Sequence, residues 1–523
     1  MTDPSAQTDP APVVHVNKWL MAVTVMFGAF IAVMDISVVN VAMPHMMGSF
    51  SEDLSSITWV ATAYSIAEII MVTMAGWFST LIGRKRLYLW SIGLFTLGSV
   101  LCGTAVTFPQ MLCYRVLQGL GGGSLIPVSQ AILRESFPQE EQGMAMAIFG
   151  MGVVLAPAIG PIVGGWLTDN YGWPWIFFIN IPVSIIGILM VGAFVHDPSY
   201  LRRGVRKIDW LGISLLAVAL TSMQVVLERG QRENWFDSRL IIFGTVICVG
   251  ALIALIYWEL KTAEPVINLR ILRNLPLTLG SAMGIIFGVA LFGTTFILPQ
   301  FTQDLLGYPA FQAGLVLAPR AFMLMLCMPV VGRLYNHVDA RILVLVGVGV
   351  TFWSYYDLAG LSLAAGFWSL VPILLIMGIG MPFMFVTLST LSLGTVPRSD
   401  MTDAASIYTL ARRIGGNIGY ALAATMVARG QQIHRAYLVE HVNPFNPIFS
   451  EFYRTAGNLL GHAGLTTPNI PLMVEALTNR IVNMQATMQA YNDVSWLFGL
   501  LFLCTIPLVL LLPGRAALEG KSS

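Results

Sequence analysis

The chain is poor in charge. Asp, Glu, Lys and Arg together supply 11% of its 523 residues, against about 25% in soluble domains. With 56% hydrophobic residues and a mean hydropathy of +0.74, it has too little polar surface to solvate a globule, and lipid is expected to cover much of it. The formal net charge of +1 suggests neither a nucleic-acid partner nor a polybasic membrane anchor. Cysteine is scarce too. Cys102, Cys113, Cys248, Cys327 and Cys504 each fall singly in apolar runs, which fits packing and gives no disulfide framework or metal spacing.

Other absences narrow the chemistry. There is no nucleotide-binding P-loop, no HExxH, no CxxC and no GxSxG elbow, so nothing here hydrolyses ATP. No cofactor is expected, and coupling must come from an ion gradient. The first 18 residues are polar, with Pro4, Pro10 and Pro12 and no Arg. They lack the basic start, short apolar core and cleavage site of a signal peptide, so the first apolar run is expected to stay as a membrane helix.

Apolar runs are abundant. A helix of about 20 residues spans the hydrocarbon core, and such runs fall at roughly 19–43, 58–78, 87–106, 109–133, 142–167, 175–195, 210–228, 239–258, 275–300, 311–333, 341–360, 367–392, 403–428 and 492–512. The run at 142–167 is interrupted by Gly and Pro. With the N-terminus inside, 17 of the 28 basic residues fall in internal segments, 7 in external ones and 4 within the runs. Adding or losing one helix would scramble this bias. The expectation is an all-α polytopic protein of fourteen spans with both termini cytoplasmic.

Gly76-Trp77-Phe78 followed by Arg84-Lys85-Arg86 has a faint echo in Gly332-Arg333-Leu334 followed by Arg341. Two six-helix bundles around a midplane site are a common transporter plan. The expected organisation is a cytoplasmic tail at 1–18, a first bundle at 19–195, a linker and two extra helices at 196–274, a second bundle at 275–512, and a tail at 513–523. Arg202–Lys207 reads as the inter-half linker. The segment 429–489 is external. It holds the turn-forming Asn443-Pro444-Phe445-Asn446-Pro447 and then a helical stripe of Met473, Leu477, Ile481, Met484 and Met488. That stripe either packs on the protein's own rim, running into the last membrane helix, or docks a partner.

Ionisable groups inside apolar runs are the sharpest signal, since each costs about 2.5–3.5 kcal/mol at a helix centre and usually faces a cavity. Asp35 and Arg115 lie external of the middle of their helices by about 6 Å and 8 Å, so an ion pair between them is geometrically allowed. Glu68 is central in the second helix and Arg320 in the tenth; Arg412 and Arg413 are slightly internal in the thirteenth. The competing reading is structural salt bridges or snorkelling helix ends. Gly and Pro add a second signal: Gly160, Pro161, Gly164 and Gly165 in one run, and Gly119 and Gly121–Gly123 beside Arg115, let helices approach closely.

At these residues the chain resembles the major facilitator superfamily, specifically its fourteen-helix drug:proton antiporter branch. Gly76-x-Phe78-Ser79-Thr80-x-x-Gly83-Arg84-Lys85-Arg86 is similar to the family's cytoplasmic gating loop, with Thr80 where an acidic residue is usual. Arg115-x-x-Gln118-Gly119 resembles the helix 4 motif tied to proton coupling, and Gly160-Pro161-x-x-Gly164-Gly165 the antiporter motif of helix 5. Met34–Pro44 resembles the branch's helix 1 signature; Trp175–Pro182, Leu298-Pro299-Gln300 and Val442–Pro447 resemble stretches of its multidrug exporters. The resemblance covers nearly the whole chain. It implies a Gram-negative inner membrane, protons and hydrophobic small molecules as cargo, a periplasmic adaptor protein and an outer-membrane channel. Glu68, Arg320 and Arg413 depart from the residue types the resemblance leads one to expect.

The expected mechanism makes Asp35 the principal proton carrier, with Arg115 setting its charge state and Glu68 either a second carrier or a contact for cationic substrates. Asp35, Glu68, Arg115, Gln118, Arg320 and Arg412 are the expected cavity residues. Arg115 and Arg412 bias that cavity toward lipophilic weak acids. Exporters of a siderophore or metabolite would share every feature. A membrane-embedded enzyme would need reactive groups clustered at one depth, whereas His45, His196 and His337 sit at expected loop ends.

Overall fold

The computed structural model describes residues 17–197, 208–462 and 469–512, and among them there is no strand. Residues 1–16 and 513–523 of the tails and the basic linker Arg202–Lys207 lie outside the described residues. Fourteen helices of spanning length follow one another: α1 Lys18–Phe50, α2 Trp59–Ile82, α3 Arg84–Gly103, α4 Phe108–Ser136, α5 Gln142–Tyr171, α6 Trp175–Phe194, α7 Trp210–Arg229, α8 Arg239–Lys261, α9 Leu275–Gln300, α10 Ala310–Leu334, α11 Ala340–Ala359, α12 Phe367–Gly394, α13 Met401–Glu440 and α14 Ile470–Leu503. Thirteen of these segments are long and apolar enough to cross a membrane. The other, α13, is diluted by Asp403, Arg412, Arg413 and Arg429.

Helices are what lipid allows, because every backbone group must be satisfied within its own segment. Side chains at the membrane boundary start several of them. Asn17 accepts from Trp19 N at 3.0 Å, Asp209 from Gly212 N at 2.9 Å, and Asp339 from Arg341 N at 2.9 Å. Pro157 and Pro161 do not break α5, which runs on for 30 residues. Neighbouring helices re-satisfy the freed groups that a proline leaves in such an environment. The Gly and Pro residues within 142–167 thus lie in one continuous helix.

α1–α6 form one bundle and α9–α14 the other, while α7 and α8 pair with each other. Between the halves, α2 packs on α13 and α5 on α10. Small residues set these approaches. A Cβ at Gly332 would lie 2.8 Å from the Gly143 carbonyl oxygen, and one at Gly143 would lie 2.6 Å from that of Gly332. A Cβ at Gly76 would strike the Asp403 carboxylate. The two echoing stretches in the sequence thus each press against the opposite half. Gly83, with φ of +91°, makes the turn from α2 into α3 in the left-handed region that favours glycine.

Arg84 is the first residue of α3 rather than a free loop cation. It is buried, pairs with Glu135 at the end of α4, and donates from Nε to Thr402 Oγ1 at 2.8 Å and from Nη2 to the Arg398 carbonyl at 3.1 Å. Lys85 N donates to Asp197 Oδ1 at 2.8 Å, and Lys85 Nζ to the Gly192 carbonyl at 2.7 Å. Ser79 and Thr402 add a hydroxyl contact at 3.2 Å. The halves are closed at this basic end.

At the opposite end the segment 429–489 is mostly helix. α13 continues to Glu440, a short helix covers Pro447–His462, and α14 returns from Ile470 straight into the last span. Arg435 of the outgoing helix donates to Asn483 at 2.8 Å and Asn479 at 3.1 Å on the returning one. Val474, Thr478, Val482 and Ala486 form the buried face, whereas Met473, Leu477 and Ile481 are exposed. The apolar stripe of the sequence lies one position off the packed face along its first half; only Met484 and Met488 at its end join the core.

Candidate functional site

Asp35 sits in the middle of the first bundle with 2% of its surface exposed. Two helices deliver three donors to it. From α4, Arg115 Nη1 lies 2.6 Å from Oδ2 and Gln118 Nε2 lies 2.8 Å from Oδ1. From α6, Asn180 Nδ2 lies 3.4 Å from Oδ1. Arg115 and Gln118 are one helical turn apart, so both face α1, and Arg115 Nη1 also donates to Gln118 Oε1 at 2.7 Å.

The rest of the Arg115 guanidinium is equally fixed. Nε donates to the Val60 carbonyl of α2 at 3.0 Å. Its carbon lies 4.3 Å from the Tyr64 ring centroid and 5.8 Å from that of Phe177, so aromatic faces complete its shell. Asn180 is held in turn by Ser99 Oγ at 3.0 Å, and Ser99 donates to the Phe177 carbonyl at 2.8 Å. Such a buried polar network specifies one arrangement when its members are satisfied. Close packing places it: the backbone of Gln118 lies 2.7 Å from where a Gly98 Cβ would be.

A second charge pair lies between the halves. Arg413 Nη2 of α13 bonds Glu68 Oε1 of α2, and both side chains are largely buried. Backbone of α2 at Tyr64 and Glu68 presses on Gly119 and Gly123 of α4, so Glu68 is positioned by the helix that carries Arg115. Arg412, the neighbour of Arg413, turns the other way: its guanidinium lies 5.1 Å from the Phe385 ring centroid. Arg320 of α10 is 7% exposed and donates from Nη2 to Thr295 Oγ1 of α9 at 3.0 Å. The cavity residues expected from the sequence therefore divide into two groups. Asp35, Arg115 and Gln118 meet in one cluster with Glu68 beside it, while Arg320 and Arg412 belong to the second bundle.

Gly160 and Gly164 of α5 face α1 next to Asp35. A Cβ at Gly160 would lie 2.6 Å from Ser37 Cβ, and one at Gly164 2.8 Å from Val38 Cγ1. Gly165 is looser, 3.8 Å from Val41, and Pro161 is half-buried. Here α5 fixes the rotation of the helix that carries Asp35.

The Major Facilitator Superfamily model matches residues 25–420. The chain belongs to that superfamily. It is 32% identical to the multidrug export protein EmrB of Escherichia coli (strain K12) over 496 residues, 94% of each chain. It is 30% identical to the fatty acid resistance protein FarB of Neisseria gonorrhoeae, covering 92% of this chain and 93% of that one. In fold it is similar to the proton:xylose symporter XylE, with a TM-score of 0.60 over 96% of this chain and 98% of that one, at 13% identity. The protein is a multi-pass membrane transporter of small molecules and not an enzyme. Among the described residues no three His, Cys, Asp or Glu side chains gather as a metal site would need. His45 lies within α1 and not in a loop.

Asn180, Ser99 and Tyr64 belong to the site but were not singled out from the sequence. The available signal was a polar side chain inside an apolar run, which Asn180 gives within Trp175–Pro182. The strap along α7 was likewise unread. There Glu228 accepts from Thr62 of α2 and Asn417 of α13 donates to Gln224. Trp235, just beyond α7, donates to Thr425 at 3.0 Å. One inserted helix thus ties to both halves.

Proposed function

We propose that this transporter is a proton-coupled efflux antiporter that exports hydrophobic toxic compounds or drugs. Asp35 carries the proton. Arg115 and Gln118 hold it while the cavity is closed toward one side, and rocking of the two bundles alters that hold so that a proton is loaded on one side and released on the other. Glu68 serves as the second titrating group, tied to Arg413 across the halves. The observation that supports this most is a single carboxylate, Asp35, kept from water and lipid alike by a guanidinium and two amides. The proton gradient is the energy source, and no cofactor takes part.

The cytoplasmic gating loop is Gly76, Gly83, Arg84 and Lys85, closed here against α13. The antiporter motif Gly160, Pro161, Gly164 and Gly165 keeps α5 tight on α1. Similarity to EmrB and FarB, a multidrug export and a fatty acid resistance protein by name, supports export over uptake. We place the protein in a Gram-negative inner membrane, both termini cytoplasmic. There it forms part of a tripartite pump, with an EmrA-like periplasmic adaptor and an outer-membrane channel. The exposed Met473, Leu477 and Ile481 on the helical arm are the surface for that adaptor.

One proton crossing about 150 mV supplies roughly 3.5 kcal/mol, enough for an approximately 300-fold substrate gradient. The test is efflux from vesicles carrying wild type or Asp35→Asn under an imposed proton gradient. Asp35→Asn should fold, bind substrate and lose uphill efflux. Uphill efflux that survives the substitution would show that Asp35 is not the carrier.

A further inference from the structure

Charge in the buried interior is not balanced between the two bundles. Around the middle of the molecule four guanidiniums are buried or nearly so: Arg115, Arg320, Arg412 and Arg413. Two have carboxylate partners, Asp35 and Glu68, and both carboxylates belong to the first bundle. Among the described residues of the second bundle, 275–462 and 469–512, no Asp or Glu is buried. Arg320 and Arg412 sit inside it with no carboxylate ion-pair partner among the described residues. Burying a cation unpaired in a membrane protein is costly, and such groups mark substrate or ion pathways.

Arg320 is the sharper of the two. Its Nη2 has one partner, the neutral Thr295 hydroxyl at 3.0 Å. Its Nη1 is enclosed and has no hydrogen-bonding partner. A guanidinium with one fork donor unused matches the bidentate geometry of a carboxylate. The surroundings suit an apolar tail on that carboxylate. Thr295 shares the partly open face of α9 with Phe292 and Phe296, and both rings pack on Tyr420 of α13, at centroid distances of 6.0 Å and 5.5 Å.

We propose that Arg320 and Thr295 form the headgroup subsite for lipophilic organic carboxylates, with Phe292, Phe296 and Tyr420 contacting the apolar body. Arg412, held over Phe385, adds a second positive charge that draws the anion into the same half. The substrate thus supplies the missing negative charge. This assignment rests on the exporter reading and separates two tasks in space: protons are handled by Asp35 in the first bundle, and anions are bound by Arg320 in the second.

The test is equilibrium binding of decanoate and of its methyl ester to the purified full-length protein in nanodiscs of neutral lipid, with empty discs as the baseline. Wild type should bind decanoate at least tenfold more tightly than the ester. Arg320→Gln should abolish that preference while leaving ester binding within about twofold, Arg320→Lys should keep part of it, and Thr295→Val should weaken decanoate alone by a few fold. A wild type that binds acid and ester alike would overturn the assignment. So would an Arg320→Gln protein with the full preference, or, if that variant does not fold, Arg320→Lys and Thr295→Val proteins both indistinguishable from wild type. Proton-driven decanoate efflux from wild-type proteoliposomes is scored separately. Its absence counts against the exporter reading, whatever the binding comparison gives.

Discussion

Glu68 and Arg413 are 345 residues apart in the chain and form one ion pair between the two bundles. Alternate access requires the bundles to rock about the interface that this pair crosses. A carboxylate and a guanidinium on opposite sides of that seam link the two halves in this state. Breaking a buried pair by removing one partner is expected to cost about 3–5 kcal/mol, because the other charge is left uncompensated.

Glu68→Gln and Arg413→Gln should therefore each lower the thermal stability of the purified protein, and the double variant should recover much of the loss. A double-mutant cycle on unfolding measures this, with a coupling of about 0.5–3 kcal/mol expected for residues in contact. Additive losses would mean that the pair contributes no link between the halves.

Arg115→Met removes the cation beside Asp35, the Gln118 and Val60 contacts, and the stack on Tyr64. We expect a destabilisation of about 3–5 kcal/mol together with loss of proton-coupled efflux. Arg115→Lys keeps the charge but not the planar fork, and should fold while exporting more slowly. Thermal unfolding and vesicle efflux, measured side by side, separate the two effects.

Gly332 and Gly143 allow α10 and α5 to touch backbone to backbone. Gly332→Leu should keep the basic end from closing and leave the fold intact. Gln130 and Thr409, buried and bonded across the halves at 3.2 Å, report the change. A cysteine at 409 should react with a water-soluble maleimide only slowly in wild type and much faster beside Gly332→Leu. Equal labelling would mean that the glycines are not what lets the end shut.

Gly119→Ala adds a methyl against the Tyr64 carbonyl and 2.9 Å from Ala67 Cβ. Overpacking of this kind costs about 1–3 kcal/mol. Because α2 must shift, Val60 and Glu68 move with it, and efflux should fall further than stability alone would dictate. The measurement is specific efflux rate per folded protein.

The spans and the buried charges were legible in the sequence because both are local quantities. A run of about 20 apolar residues has to cross lipid, and a charge inside such a run is costly wherever it lies. That identified Asp35, Glu68, Arg115, Arg320, Arg412 and Arg413 without any coordinates. Helix ends were less legible: α1 runs on to Phe50, α13 to Glu440 and α14 starts at Ile470, all beyond the apolar runs, because a helix that leaves the lipid no longer needs apolar residues.

Partnership was not legible, since it depends on the rotation of each helix about its axis and on which neighbour it meets. Arg412 and Arg413 are adjacent in sequence, yet one faces Glu68 and the other Phe385. Arg84, read as a loop cation, is buried between the halves because Gly83 turns the chain into α3 there. The arm stripe was displaced by one position because an exposed apolar face and a buried one share the same 3.6-residue period. The sequence by itself determined that the lipid-covered core must hold charges near its middle; only the tertiary structure decided which were neutralised. Small residues scattered through many helices set the distances at which one charge meets another.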